Sequence, residues 1–183
     1  MLHLLRHAKS SWKEDVEDHE RALSRRGREA ARRIGKHLPA RLGSLDLVLC
    51  SSARRTRETL DLVLAEYSPQ PRSLIEDELY FATRERLMHR VRRLDETDVK
   101  VLLIGHNPGL HDLAVVLAKK SSPDFRALAS GKFPTAALRA LKFRRAGRHS
   151  ASSGTRWSAT SPRARWPMRR LDSRLLRQDV AHQ

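Results

Sequence analysis

Short, almost unbroken apolar runs alternate along this chain with longer stretches in which apolar residues recur every three or four positions. The first pattern marks buried strands and the second amphipathic helices. Residues 2–5 (Leu-His-Leu-Leu) read as a short buried strand, followed by a polar loop, 9–20, with one aromatic, Trp12. Ser24 is placed to cap a helix whose apolar positions Ala30, Ala31, Ile34 and Leu38 share one face, and Pro39 is expected to stop it. Leu45 to Cys50 predicts the second strand, running into the polar turn Ser51-Ser52-Ala53-Arg54-Arg55-Thr56 and a helix over about 54–66 with Leu60, Val63 and Leu64 inward. Pro69 and Pro71 mark a loop. Residues 72–75 predict a short strand, and the acidic turn 75–80 leads to a helix over about 83–94. Val99 to Ile104 is the most continuous apolar run, as expected of a strand covered on both faces. It breaks at Gly105-His106-Asn107-Pro108-Gly109, a helix follows over 110–117, and residues 134–143 can supply one more strand. This alternation predicts an α/β fold with a mostly parallel central sheet flanked by helices on both faces.

After Phe143 the periodicity ends. Residues 144–183 are rich in Arg and Ser, with Trp157 and Trp166 among charges, and only 168–180 keeps helical spacing. The expected organisation is one domain, 1–143, and a poorly ordered basic tail, 144–183, with one helix. The tail also changes what the charge means. The chain of 183 residues carries a formal net charge of +16, which on its own suggests a nucleic-acid partner. The tail's 10 Arg against 2 Asp supply +8 of it, so half of that signal lies outside the patterned region. A nucleic-acid or other acidic partner held by the tail is the rival class of function. The single cysteine, Cys50, precludes an intramolecular disulfide and fits a reducing compartment, so the cytoplasm is expected. Leu2, Leu4 and Leu5 fall short of a signal-peptide apolar region, and no run approaches the roughly 20 apolar residues of a membrane span, so no membrane association is expected.

Chemistry concentrates where strands end. Arg6 and His7 follow the first, Arg55 lies just past the second, and His106 follows the fourth. In a parallel sheet these ends share the carboxyl edge, where open α/β folds hold ligands. Two guanidinium groups grip a phosphoryl group bidentately and disfavour protonation of a neighbouring imidazole, which attacks phosphorus only when neutral. Arginines in the first turn of the 54–66 helix also oppose its dipole, a conflict that an anion at that end would relieve.

These residues resemble the histidine phosphatase superfamily. Arg6-His7-Ala8 is similar to its Arg-His-Gly signature, Ser51 to Thr59 to its Ser-Pro-x-x-Arg-Ala-x-x-Thr segment, and Gly105-His106-Asn107 to its late Gly-His motif. Four further stretches resemble the small SixA-type phosphohistidine phosphatase branch: His7 to Trp12; Asp18 to Leu23 with Arg26-Gly27; Gly105 to Gly109; and Lys132-Phe133-Pro134-Thr135. Over residues 1–143 the resemblance implies a phosphoglycerate mutase-like fold and a covalent mechanism. His7 would be the nucleophile, with Arg6, Arg55 and His106 on the phosphoryl oxygens and Glu78 as the match for the superfamily's general acid. It implies no metal or cofactor. The implied substrate is a phosphorylated protein bearing phosphohistidine, the alternative being a small phosphomonoester such as a sugar phosphate. Ala8 in place of the signature glycine, Lys13 where mutase-like members tend to carry asparagine, and the lack of long capping insertions argue against mutase chemistry.

Two other chemistries fail on spacing. A cysteine phosphatase needs Arg six positions after Cys50, and Thr56 stands there. His106 and His111 lie five apart across a proline-containing turn, which does not make a shared helical metal face. His3, His37 and His89 read as surface or core imidazoles.

Overall fold

Five strands form one sheet in the order β3-β2-β4-β1-β5: β1 (Leu2–Arg6), β2 (Leu47–Ser51), β3 (Arg72–Glu76), β4 (Val101–Gly105) and β5 (Leu138–Leu141). The first four run parallel and β5 is antiparallel to β1. The structure is a computed structural model that describes residues 1–118, 123–131 and 133–143. All of these belong to one unit, Met1–Gly147. The anticipated tail at 144–183, with its helix at 168–180, lies outside the described residues, as does Lys132.

The unbroken apolar strands are explained by a core on each face. Leu2, Leu4, Leu47, Leu49, Val101 and Leu103 point to one side, under α3 (Arg84–Arg92), α4 (Gly109–Leu117) and α5 (Pro123–Ala129). Leu5, Val48, Cys50, Leu102 and Ile104 point to the other, under α1 (Arg25–Leu42) and α2 (Arg54–Leu64). Alternation of side chains along each strand therefore divides one hydrophobic run between two cores.

Two elements depart from expectation. α1 does not stop at Pro39 but runs through it to Leu42. The proline sits in the last turn, where its missing N–H costs one bond, while buried Leu38 and Leu42 anchor the turn and the Gly43 amide closes on the Pro39 carbonyl at 2.9 Å. α5, a seven-residue helix, had no periodic signal to announce it.

The sheet's register places the strand ends level. Arg6 of β1 pairs with Gly105 of β4, and Cys50 of β2 pairs with Ile104. The segment after β1 is then fixed by α1. Both the backbone amide and the hydroxyl of Ser24 donate to the Lys9 carbonyl, at 2.8 and 3.0 Å, while the same hydroxyl accepts from the Gly27 amide as the helix cap. Helix and loop approach so closely that a Cβ on Gly27 would lie 2.0 Å from the Lys9 carbonyl oxygen. Gly27→Ala should therefore cost roughly 1–3 kcal/mol of stability, read as a melting midpoint lower by several degrees in thermal denaturation. A midpoint within a degree of wild type would mean that this approach is not needed.

Candidate active site

At the end of β1 the His7 amide donates to the Gly105 carbonyl (3.1 Å), tying the first strand's exit to the fourth's. The His7 ring reaches the Ala8 carbonyl through Nδ1 at 2.7 Å. A carbonyl only accepts, so Nδ1 carries the ring proton and Nε2 keeps its lone pair; Nε2 has no hydrogen-bond partner among the described residues. The loop is held from beneath by one hydroxyl. Thr59 Oγ1 accepts from the Ala8 amide (3.1 Å) and donates to the Arg55 carbonyl (2.7 Å), coupling the backbone beside His7 to the turn of α2 that carries Arg55. Arg6 extends a terminal nitrogen to the Phe133 carbonyl (2.9 Å), which also accepts from Asn107 Nδ2 (3.0 Å). The buried Nε of Arg6 has no hydrogen-bond partner among the described residues.

Arg55 is almost wholly buried, and Asp18 fixes it twice: one terminal nitrogen donates to the Asp18 carbonyl (2.5 Å), the other to Oδ2 (2.8 Å). The Asp18 carboxylate also accepts from Arg21 and from the Tyr80 hydroxyl, each at 2.8 Å. The guanidinium lies 3.5 Å from His106 Nδ1, and the His106 ring is 5.1 Å from the His7 ring. On its far end His106 Nε2 meets the buried Ser51 hydroxyl at 2.7 Å. Tyr80 stands edge-on to His106 at 5.6 Å, and Phe81 lies tilted against it at 5.1 Å.

The electrostatics follow from this packing. Burial, together with the positive charges of Arg55, Arg6 and Arg21, pushes the His7 imidazole down to about 4 despite the opposing Ala8 hydrogen bond. Burial, the neighbouring His7 and Arg55 bring His106 to about 3. Both rings are therefore neutral at physiological pH. Burial would raise the Asp18 carboxyl, but the hydrogen bonds from Tyr80, Arg55 and Arg21 outweigh it and hold the group at about 2. The helix-dipole conflict at α2 is answered from within the chain, where Arg54 pairs with Glu58 (2.9 Å) and Arg55 with Asp18.

Arg6, His7, Arg55 and His106 are thus gathered at one edge of the sheet from three adjacent strand ends. Glu78 is exposed on the short 3-10 turn Asp77–Leu79, where its charge is felt by Arg90; just after that turn, Tyr80 and Phe81 pack against His106. Asp18, Ser51, Thr59 and Tyr80 complete the arrangement, although nothing in the spacing gave them roles. Asp18 and Arg21 did fall in one recognised block and Ser51 and Thr59 in another, and membership of those blocks was the available signal. Cys50 is fully buried with its thiol pushed by burial up to about 12, which suits no nucleophile. His111 turns away to the Leu128 carbonyl of α5 (2.8 Å). Among the described residues no three His, Cys, Asp or Glu side chains cluster as metal ligands would, and no helix is long and apolar enough to cross a membrane.

The same cluster is embedded in a recognisable sequence and fold. Residues 2–79 match the model of the histidine phosphatase superfamily (branch 1). An uncharacterized protein of Mycobacterium tuberculosis is 34% identical over 140 residues, 75% of this chain and 86% of the relative. Among solved structures, the putative phosphohistidine phosphatase SixA from Agrobacterium tumefaciens superposes with a TM-score of 0.66 at 29% identity, over 75% of this chain and 87% of that one. Its counterpart from Nakamurella multipartitia gives 0.62 at 29% identity, covering 75% and 81%. Carrying this family's motifs at adjoining strand ends of the family's sheet, the chain belongs to the histidine phosphatase superfamily, is SixA-like, and is a phosphatase.

Proposed function

We propose that this phosphatase removes the phosphoryl group from phosphohistidine on a protein, through a covalent phosphohistidine at His7. The observation that carries the proposal is the state of His7: neutral, with its proton committed to the Ala8 carbonyl and the Nε2 lone pair unengaged. Nε2 attacks phosphorus while the bond from phosphorus to the substrate ring breaks, its electron pair passing to that ring's nitrogen, which takes a proton from solvent. Water then attacks the phosphoryl group on His7. The Nε2–phosphorus bond breaks with its pair returning to Nε2, phosphate leaves, and one proton returns to solvent. Arg6, with Nε and its second terminal nitrogen unclaimed among the described residues, and Arg55, with one N–H of the nitrogen on the Asp18 carbonyl unclaimed there and the other nitrogen's second N–H in only a long 3.5 Å contact with His106, neutralise the phosphoryl oxygens.

His106 completes the anion cradle in the tautomer that Ser51 permits. When the Ser51 hydroxyl donates to Nε2, Nδ1 holds the proton, and an arriving phosphoryl oxygen replaces the long contact with Arg55. Positive and neutral donors on largely buried side chains supply charge stabilisation of the kind a metal ion supplies elsewhere.

The carboxylates bear on the substrate class. Asp18, held at about 2, is ionised at neutral pH and is a poor proton donor. An alkoxide leaving group needs an acid, whereas an imidazole nitrogen is basic enough to be protonated by solvent, so this substrate requires nothing from exposed Glu78. A protein-borne phosphohistidine and a cytoplasmic setting belong to the same proposal. The test is phosphate release from a phosphohistidine carrier protein beside a panel of small phosphomonoesters, with His7→Ala as control. The carrier should be hydrolysed with the higher kcat/KM, and His7→Ala should lose activity on every substrate. Faster turnover of the small esters would overturn the substrate, and activity surviving in His7→Ala would overturn the nucleophile.

Two further outcomes follow. Because the free enzyme's His7 must be neutral and its ionisation lies near 4 rather than 6.5, kcat/KM on a substrate whose own ionisation is corrected for should stay level from pH 8 to 5 and fall only as pH drops through about 4; an acid limb centred near 6.5 would contradict it. Ser51→Ala removes the hydroxyl that holds His106 Nε2 and should lower kcat/KM about tenfold with the fold intact. Unchanged kinetics would show that this hydroxyl does not orient His106.

A further inference from the structure

Phe81 is placed where a bulky residue pays in conformation for its position. Its φ is 43°, in the left-handed region that glycine or asparagine adopts with little strain and a phenylalanine does not. The ring does not repay that strain by filling a core, for it is 51% exposed and belongs to neither hydrophobic cluster. It stands instead over the site, 5.1 Å from the His106 ring, 4.7 Å from the Tyr80 ring and 5.5 Å from the Arg55 guanidinium carbon.

The turn that presents it is held on both sides. The Tyr80 amide donates to the Asp77 carbonyl (2.9 Å) and the Tyr80 hydroxyl to Asp18 (2.8 Å). Beyond the ring, buried Ala82 lays its carbonyl so close to Gly109 that a Cβ there would stand 1.9 Å from it. A strained backbone pinned at both flanks, with an aromatic ring left in solvent beside the catalytic imidazoles, points to a ligand as what the ring faces.

In-line displacement locates that ligand. His7 is 8% exposed while the neighbouring Phe81 ring is 51% exposed, and the group leaving phosphorus departs on the side opposite the attacking nitrogen, away from buried His7. We infer that Phe81 is a specificity-determining residue whose ring stacks on the leaving group and selects a planar, aromatic one, the imidazole of phosphohistidine. The inference rests on the substrate class proposed above and adds the side chain that recognises it. Stacking engages the ring in ground state and transition state alike, so its loss falls on KM more than on kcat.

The test compares two N-phosphoryl probes on full-length protein: phosphoimidazole, whose leaving group is a ring, and phosphoramidate, whose leaving group is ammonia. Phe81→Leu should lower kcat/KM for phosphoimidazole roughly three- to tenfold more than for phosphoramidate, chiefly through KM. Phe81→Gly, which relaxes the backbone, should melt no lower than wild type and show the same selective loss, separating recognition from folding. Equal losses on the two probes, or none on either, would overturn the role of Phe81 while leaving the substrate class standing. A wild-type enzyme that cleaves phosphomonoesters but neither N-phosphoryl probe would overturn the substrate class and the inference with it.

Discussion

An imidazole withdrawn from water among guanidinium groups cannot afford a second proton, and the neutrality this imposes on His7 is the constraint to which the rest of the site answers. Burial and three arginines lower its basicity, while the Ala8 carbonyl decides which nitrogen keeps the proton it has. Both conditions require backbone placed to a fraction of an ångström. The parallel register of β1 and β4 supplies it on one side, and the Thr59 hydroxyl, bridging Ala8 to the Arg55 carbonyl, supplies it on the other. The close approach of Gly27 to Lys9 then fixes where the loop goes next.

The buried Arg55 poses the converse problem, a charge that needs a partner without surrendering all its donors. Asp18 provides one carbonyl and one carboxylate oxygen; of the remaining N–H groups one makes the long 3.5 Å contact with His106, where an anion can take its place. The same carboxylate gathers Arg21 and Tyr80, so one acidic residue ties together three side chains around the site. A pKa held at about 2 is the consequence, and that is what withdraws Asp18 from proton transfer and gives the leaving group its importance.

Much of the fold and of the site could be read from the chain because both rest on local signals. An apolar run that ends in Arg6-His7, Ser51 or His106 announces a strand and its exit together, and a parallel sheet brings those exits to one edge. What could not be read depends on contacts between distant segments. Asp18 meets Arg55 across 37 positions and Tyr80 across 62, and neither spacing carries a period. Pro39 misleads for a related reason: its local veto on helix is overridden by the burial of Leu38 and Leu42. Phe81 is silent in sequence because its meaning lies in a positive φ and an exposed ring, which only the folded turn reveals.

The central claim concerns the protonation of one ring, and nitrogen-detected NMR of 15N-histidine-labelled protein reads it directly. His7 is expected to be the neutral Nδ1–H tautomer at pH 7 and to take up a second proton only near pH 4. A His7 resonance titrating near 6.5, or one whose single proton sits on Nε2, would contradict it.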